Sequence, residues 1–224
     1  MRLRDRLNVS ERRQRQLSRL LQVLLVGLVF VGFERGNAGV VVNATVGLGV
    51  TYLPAVLERD YHIPMDSALT LWITTAVFLH AFGTAGLPGA TTNLYRSVWW
   101  WDHLTHTLSS TIVAAAGYAT ARAFELHSDG VSLPDRFMFV FILLFVLAFG
   151  VLWEVLEFGV TVVASVLGTQ AVLVQYGLGD TMLDLLFDTL GGIIVAVWGT
   201  AHLTDLVGVL ADRFGLGTAS EDSP

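Results

Sequence analysis

The chain has no cysteine and no lysine, only five prolines, and charged side chains at just 14% of its 224 residues. The missing cysteine excludes disulfides, thiolate zinc sites, cysteine-ligated iron–sulfur clusters and cysteine nucleophiles, so oxygen and imidazole are the metal ligands that remain. All 13 basic residues are arginine, 19 acids leave a net charge of -6, and that balance argues against a nucleic-acid partner. No P-loop, dinucleotide fingerprint or Gly-x-Ser-x-Gly elbow occurs. What is abundant is apolar: 54% of the residues are hydrophobic, in runs that repeatedly reach transmembrane length. These features describe an all-α, polytopic transmembrane helix bundle bathed in membrane lipids.

About six spans fit, at about 20 residues each. They read as Leu20–Phe33, Gly39–Leu57, Ala68–Phe82, His103–Phe124, Phe137–Phe158 and Thr181–Leu203. A cytoplasmic Arg-rich segment, 1–19, precedes this single membrane domain over 20–209, and a polar cytoplasmic tail, 210–224, follows it. Arg2, Arg4, Arg6, Arg12, Arg13, Arg15 and Arg19 hold the N-terminus inside. Arg59, Arg122, Arg136 and Arg213 then also fall on the cytoplasmic side, leaving Arg35 and Arg96 outside, with the C-terminus cytoplasmic. The first span also has a signal-peptide reading through Gly36 and Ala38, which leaves the later spans oriented alike. Glu34–Ala38 predicts a tight hairpin turn, and Trp99, Trp100 and Trp101 predict an outer-interface belt.

Nine ionisable groups stand at or inside these spans, with no basic residue near them: His80, Asp102, His103, His106, Glu154, Glu157, Asp180, Asp184 and Asp188. Charge at membrane depth costs about 2.5 to 3.5 kcal/mol per side chain on insertion scales, so intramembrane acids are functional candidates by default. On the assigned orientation all three motifs fall at outer helix ends. In Asp102-His103-x-x-His106, a turn of about 100° per residue puts the carboxylate and both imidazoles on one side of the helix. Glu154-x-x-Glu157 places two carboxylates together near the outer end of the fifth span. Asp180-x-x-x-Asp184-x-x-x-Asp188 is a ladder descending about 6 Å per step, with Asp188 deepest.

Carboxylate and imidazole suit zinc, manganese or non-haem iron, and a divalent metal would offset charge that the protein does not otherwise balance. The set is large enough for two ions, a pairing that can activate water or clamp phosphate oxygens. Plainer roles also fit: helix capping for Asp102 and Asp180, an interfacial place beside the tryptophans for His103, hydrogen-bonded structure for His80, and protonated acids bonded between helices for the rest. His62, His127, His202 and Asp205 read as solvated surface. Gly191-Gly192 and Gly47-x-Gly49 read as close helix packing rather than a phosphate cradle.

Through Asp102-His103-x-x-His106, Trp153-Glu154-x-x-Glu157-Phe158 and Asp180-Thr181-x-x-Asp184-x-x-x-Asp188-x-x-Gly191, the chain resembles the YjdF-like family of small polytopic inner-membrane proteins. It is also distantly similar to VanZ-like membrane proteins. The resemblance implies a bundle of membrane helices and no particular reaction.

The expectation is an outward-facing site that binds one or two divalent metals and performs hydrolysis or group transfer on a lipid-linked or envelope substrate. Asp102, His103, His106, Glu154, Glu157, Asp180, Asp184 and Asp188 are the candidate ligands. One carboxylate among Glu154, Glu157 and Asp184 serves as general acid or base. The alternatives are a cation- or proton-coupled transporter, with the aspartate ladder as its path, and a non-catalytic scaffold. Oligomeric state is not legible in the sequence.

Overall fold

A computed structural model describes residues 10–198 apart from 62, 64, 88, 91 and 129, together with Val207, and its regular elements are all helical. Arg2, Arg4, Arg6, His62, His202, Asp205, Arg213, the 210–224 tail and the end of the sixth expected span lie outside the described residues, as does the His127 side chain. The helices in order are α1 (Glu11–Glu34), α2 (Ala38–Val50), α3 (Leu53–Tyr61), α4 (Ser67–Ala85), α5 (Leu94–Ser97), α6 (Trp101–His127), α7 (Asp135–Leu167) and α8 (Leu178–Trp198).

Local chemistry sets their ends. Ser10 caps α1, its hydroxyl accepting from the Arg13 N–H, and Asn37 caps α2 by accepting from Val40 N at 3.1 Å. The expected hairpin between α1 and α2 is therefore a turn that hands one helix directly to the next. The second expected span breaks after Val50, because Pro54 has no N–H to return to that turn. Thr51 there donates to Leu48 O at 2.7 Å and accepts from Gln22 Nε2 at 3.1 Å.

The fifth expected span is corrected at its far end. Glu154 and Glu157 do not mark a boundary near Phe158, because α7 continues to Leu167 through Val160, Val162, Val163 and Val166. Gly168 stops it in the left-handed conformation, φ +66, with Thr169 N bonded to Ala164 O at 2.9 Å and Gly168 N to Ser165 O at 3.2 Å. The glutamates thus sit inside a long apolar helix, with Glu154 about 20 Å from its C-terminal end.

The described chain divides into two compact units. One comprises the residues up to Asp60, Met65–Thr105 and Leu156–Gln175. In it α1, α2 and α4 pack together around Leu25, Ala44 and Ala81, small residues bringing the backbones close. Trp101 belongs to this packing. Its indole lies tilted against Phe82, 6.0 Å between ring centroids, and fills the space beside Gly83, so it is 9% exposed while Trp99 is 81% exposed. The expected three-tryptophan belt therefore reduces to Trp99 and Trp100.

The other unit comprises the described residues of Tyr61–Pro64, of His106–Val155 and from Tyr176 onward. Its core is Ala114, Tyr118, Ala119, Met138, Ile142, Val146, Val195 and Val207. Where α6 leads into α7, Arg122 pairs with Glu125 and donates to Asp135 at 2.8 Å and to Leu133 O at 3.1 Å. Glu125 also accepts from Leu133 N at 2.6 Å.

Four helical stretches are long and apolar enough to cross a membrane: α1, Ala38–Tyr61 taken together, α4 and α7. α6 and α8, the other two expected spans, have the length at 27 and 21 residues but hold the acids, imidazoles and hydroxyls. Large apolar side chains are exposed on many of the helices, Phe30 and Val166 among them, as contact with lipid requires.

Candidate metal centre

Two missing side chains bring α8 against its neighbours in the second unit. A Cβ at Gly191 would stand 2.1 Å from Ser110 Oγ and 2.6 Å from Thr107 O, and one at Gly150 would stand 2.5 Å from Asp188 Oδ2. The first lets α8 lie on α6, and the second lets the Asp188 carboxylate rest on the α7 backbone. Thr107 Oγ1 also donates to Phe187 O at 3.2 Å, tying α6 to α8 one residue before Asp188. Close packing was the expected role of Gly191-Gly192, and both glycines are buried in it.

This packing places His106 between two carboxylates. Its Nδ1 is 3.3 Å from Asp188 Oδ1, a long hydrogen bond, and its Nε2 is 3.8 Å from Asp184 Oδ1, beyond hydrogen-bond reach. Asp184 is 2% exposed and Asp188 5%. If Nδ1 carries the proton shared with Asp188, the Nε2 lone pair faces the Asp184 side. Asp102 is one turn earlier on the unbroken α6; it and His106 offer ligand atoms within 4.8 Å of each other, as do His106 and Asp184. Along α6 the next arginine, Arg122, is about 24 Å away.

Glu154 is also buried, at 5% exposure. Its Oε2 accepts from Thr181 Oγ1 at 2.7 Å, and its Oε1 has no hydrogen-bond partner among the described residues. Thr181, named in the sequence only as part of the motif that carries the resemblance, is the partner of this carboxylate; a threonine in an apolar helix gives no residue-type signal of its own. Glu157 is half-buried on the following turn of α7.

Asp180 and His103 are placed differently. α8 begins at Leu178, so Asp180 is in its first turn rather than at the cap, and its Oδ2 accepts from Tyr176 N at 3.3 Å. Asp102 likewise stands inside the first turn of α6. The His103 ring lies edge-on to the exposed Trp99 at 6.3 Å between centroids, as an interfacial histidine would.

His80, in the first unit, is held by hydrogen bonds on both ring nitrogens. Asn43 Nδ2 donates to Gly39 O at 2.8 Å and to Val172 O at 2.7 Å, which leaves its Oδ1 to accept from His80 Nε2 at 3.1 Å. Nδ1 stands 2.8 Å from the Tyr95 hydroxyl, which also donates to His80 O at 3.4 Å. The ring ties α2, α4 and α5 together, with its partners drawn from distant parts of the chain.

A family model described as "Predicted membrane protein (DUF2238)" matches residues 17–205. A protein of Thermotoga maritima, named only as an uncharacterized protein, is 31% identical over 183 residues, covering 80% of this chain and 86% of the relative. No solved structure matches.

Proposed function

This chain belongs to the DUF2238 family of predicted membrane proteins, and from that premise we propose that it is a metal-dependent, multi-pass membrane enzyme acting on a lipid-linked or envelope substrate. The observation that carries the reading is the 3.8 Å between His106 Nε2 and Asp184 Oδ1. Two donors that share one ion at about 2.0–2.2 Å each can stand up to about 4.2 Å apart, whereas an N–H···O bond needs about 3.2 Å or less. The separation fits a shared cation and does not fit a direct hydrogen bond. Charge supports the same conclusion: a protonated imidazole offsets one of the two buried aspartates, and a divalent ion offsets both.

His106 and Asp184 would hold the ion. Asp188 would orient the imidazole through Nδ1, as carboxylates behind metal-bound histidines do. Zinc, manganese and iron all accept such oxygen and nitrogen donors. A bound ion would polarise an acyl or phosphoryl oxygen or activate water, and a neighbouring carboxylate would exchange the proton. A site among apolar helices favours a substrate that arrives from the bilayer. The arginine bias turns this end of the helices outward.

Transport is the second reading, and the packing below Asp188 disfavours it. The Thr189 hydroxyl is taken by Leu185 O at 2.7 Å, and Gly191 and Gly192 follow, buried against α6 and α7. A conducted cation would find no further carboxylate on described α8. The deciding measurement is elemental analysis of detergent-purified protein. Stoichiometric transition metal, lost in a His106→Ala, Asp184→Asn double variant that still folds, is expected. Equal metal content in both proteins, or none in either, rejects the reading. Inward metal flux into proteoliposomes would select transport instead.

A further inference from the structure

Building on that reading, we propose that the centre holds a second divalent cation, bound by Glu154 and bridged to the first by Asp184. The Glu154 carboxylate is buried, with Oε1 lacking any hydrogen-bond partner among the described residues. A buried, unsatisfied polar atom costs about 1–3 kcal/mol, and more if charged, so it marks a position where something else completes the coordination.

The helices place that position beside the first ion. Gly150 on α7 faces Asp188, and Glu154, one turn further along α7, bonds Thr181 on α8. The two contacts bracket Asp184, which follows Thr181 by three residues and shares its helix face. Asp184 has two oxygens, so one can serve the ion beside His106 and the other an ion beside Glu154. Ions in paired sites stand about 3.5–4 Å apart, which one bridging carboxylate spans. Thr181 orients Glu154 as Asp188 orients His106.

Charge closes the argument. Ligating carboxylates must be ionised. Asp184 and Glu154 are both buried, so as ionised ligands each calls for a cation beside it.

Manganese titration of the metal-stripped protein, followed by electron paramagnetic resonance, tests this. The wild type should bind two ions per chain with a spin-coupled spectrum, and Glu154→Gln should bind one with an uncoupled spectrum. Thr181→Val, nearly isosteric, should weaken the second ion about tenfold and leave the first unchanged, which keeps the test open if Glu154→Gln does not fold. One ion per chain in the wild type, two in Glu154→Gln, or an unaltered second affinity in Thr181→Val overturns the second site while the His106 site stands. No ion in the wild type overturns both.

Discussion

In the proposed centre the chemistry at His106 depends on which ring nitrogen carries the proton, and Asp188 would decide it. The 3.3 Å contact to Nδ1 would direct the Nε2 lone pair toward the Asp184 side, and the absent side chain at Gly150 gives the Asp188 carboxylate room to hold its position. Asp188→Asn removes the charge and keeps the shape. It is expected to weaken metal binding about tenfold, read by calorimetric titration, with thermal unfolding of the metal-free protein little changed. Unchanged affinity would mean that Asp188 does not orient the imidazole. The contrast with His80 is instructive. Both histidines sit in apolar helices, but the partners of His80 are a neutral amide and a phenol, a set that needs no cation.

Among the elements, α6 and α8 are the two expected spans that carry polar chemistry, and α7 supplies an apolar wall with two glutamates in it. The join between α6 and α7 is made by Arg122, at the end of the fourth expected span, with Glu125 and Asp135 beyond it. The Glu125 carboxyl is held below the usual carboxylate range, chiefly by the Leu133 N–H and further by Arg122, against the opposing effect of burial. A depressed folded-state value means that this contribution to stability is present above the unfolded value, near 4.5, and is lost as pH falls through the lower folded value. Proteolytic nicking between Ser128 and Leu133 should therefore rise as pH is lowered from 6 toward 3 in an acid-tolerant protease assay, about as it does in Glu125→Gln at neutral pH. A wild type equally resistant across that range would assign the join to something other than Glu125. None of this was legible beforehand. Arg122 reads as an inner-side marker, and only the turn at residues 128–134 brings Leu133 back to Glu125. The length of α7 is hidden in the sequence for a related reason: two glutamates look like an aqueous edge, yet the helix runs on to Leu167 and Thr181 on α8 covers one of them.

On the scale of the whole molecule, exposed apolar faces and four stretches of crossing length make a multi-pass membrane protein, consistent with its family. A cation that binds only the folded state stabilises it by about 2.7 kcal/mol at a concentration one hundred times its Kd. Chelation should consequently lower the unfolding temperature of the wild type in detergent and leave that of the His106→Ala, Asp184→Asn variant unmoved; an equal drop in both would point to a chelator effect unrelated to this site. Apolar length, arginine placement and helical spacing are short-range properties, so the linear chain alone determined the membrane class, the all-helical fold and the motif faces carrying His106, Asp184 and Asp188. Only the tertiary structure decided that His106 lies between two carboxylates, that Glu154 meets Thr181, that His80 bonds Asn43 and Tyr95 and that Trp101 is core. Each of those outcomes depends on which helices pack face to face, and that is settled by small residues such as Gly150 and Gly191, whose effect is invisible until a neighbour occupies the space they leave.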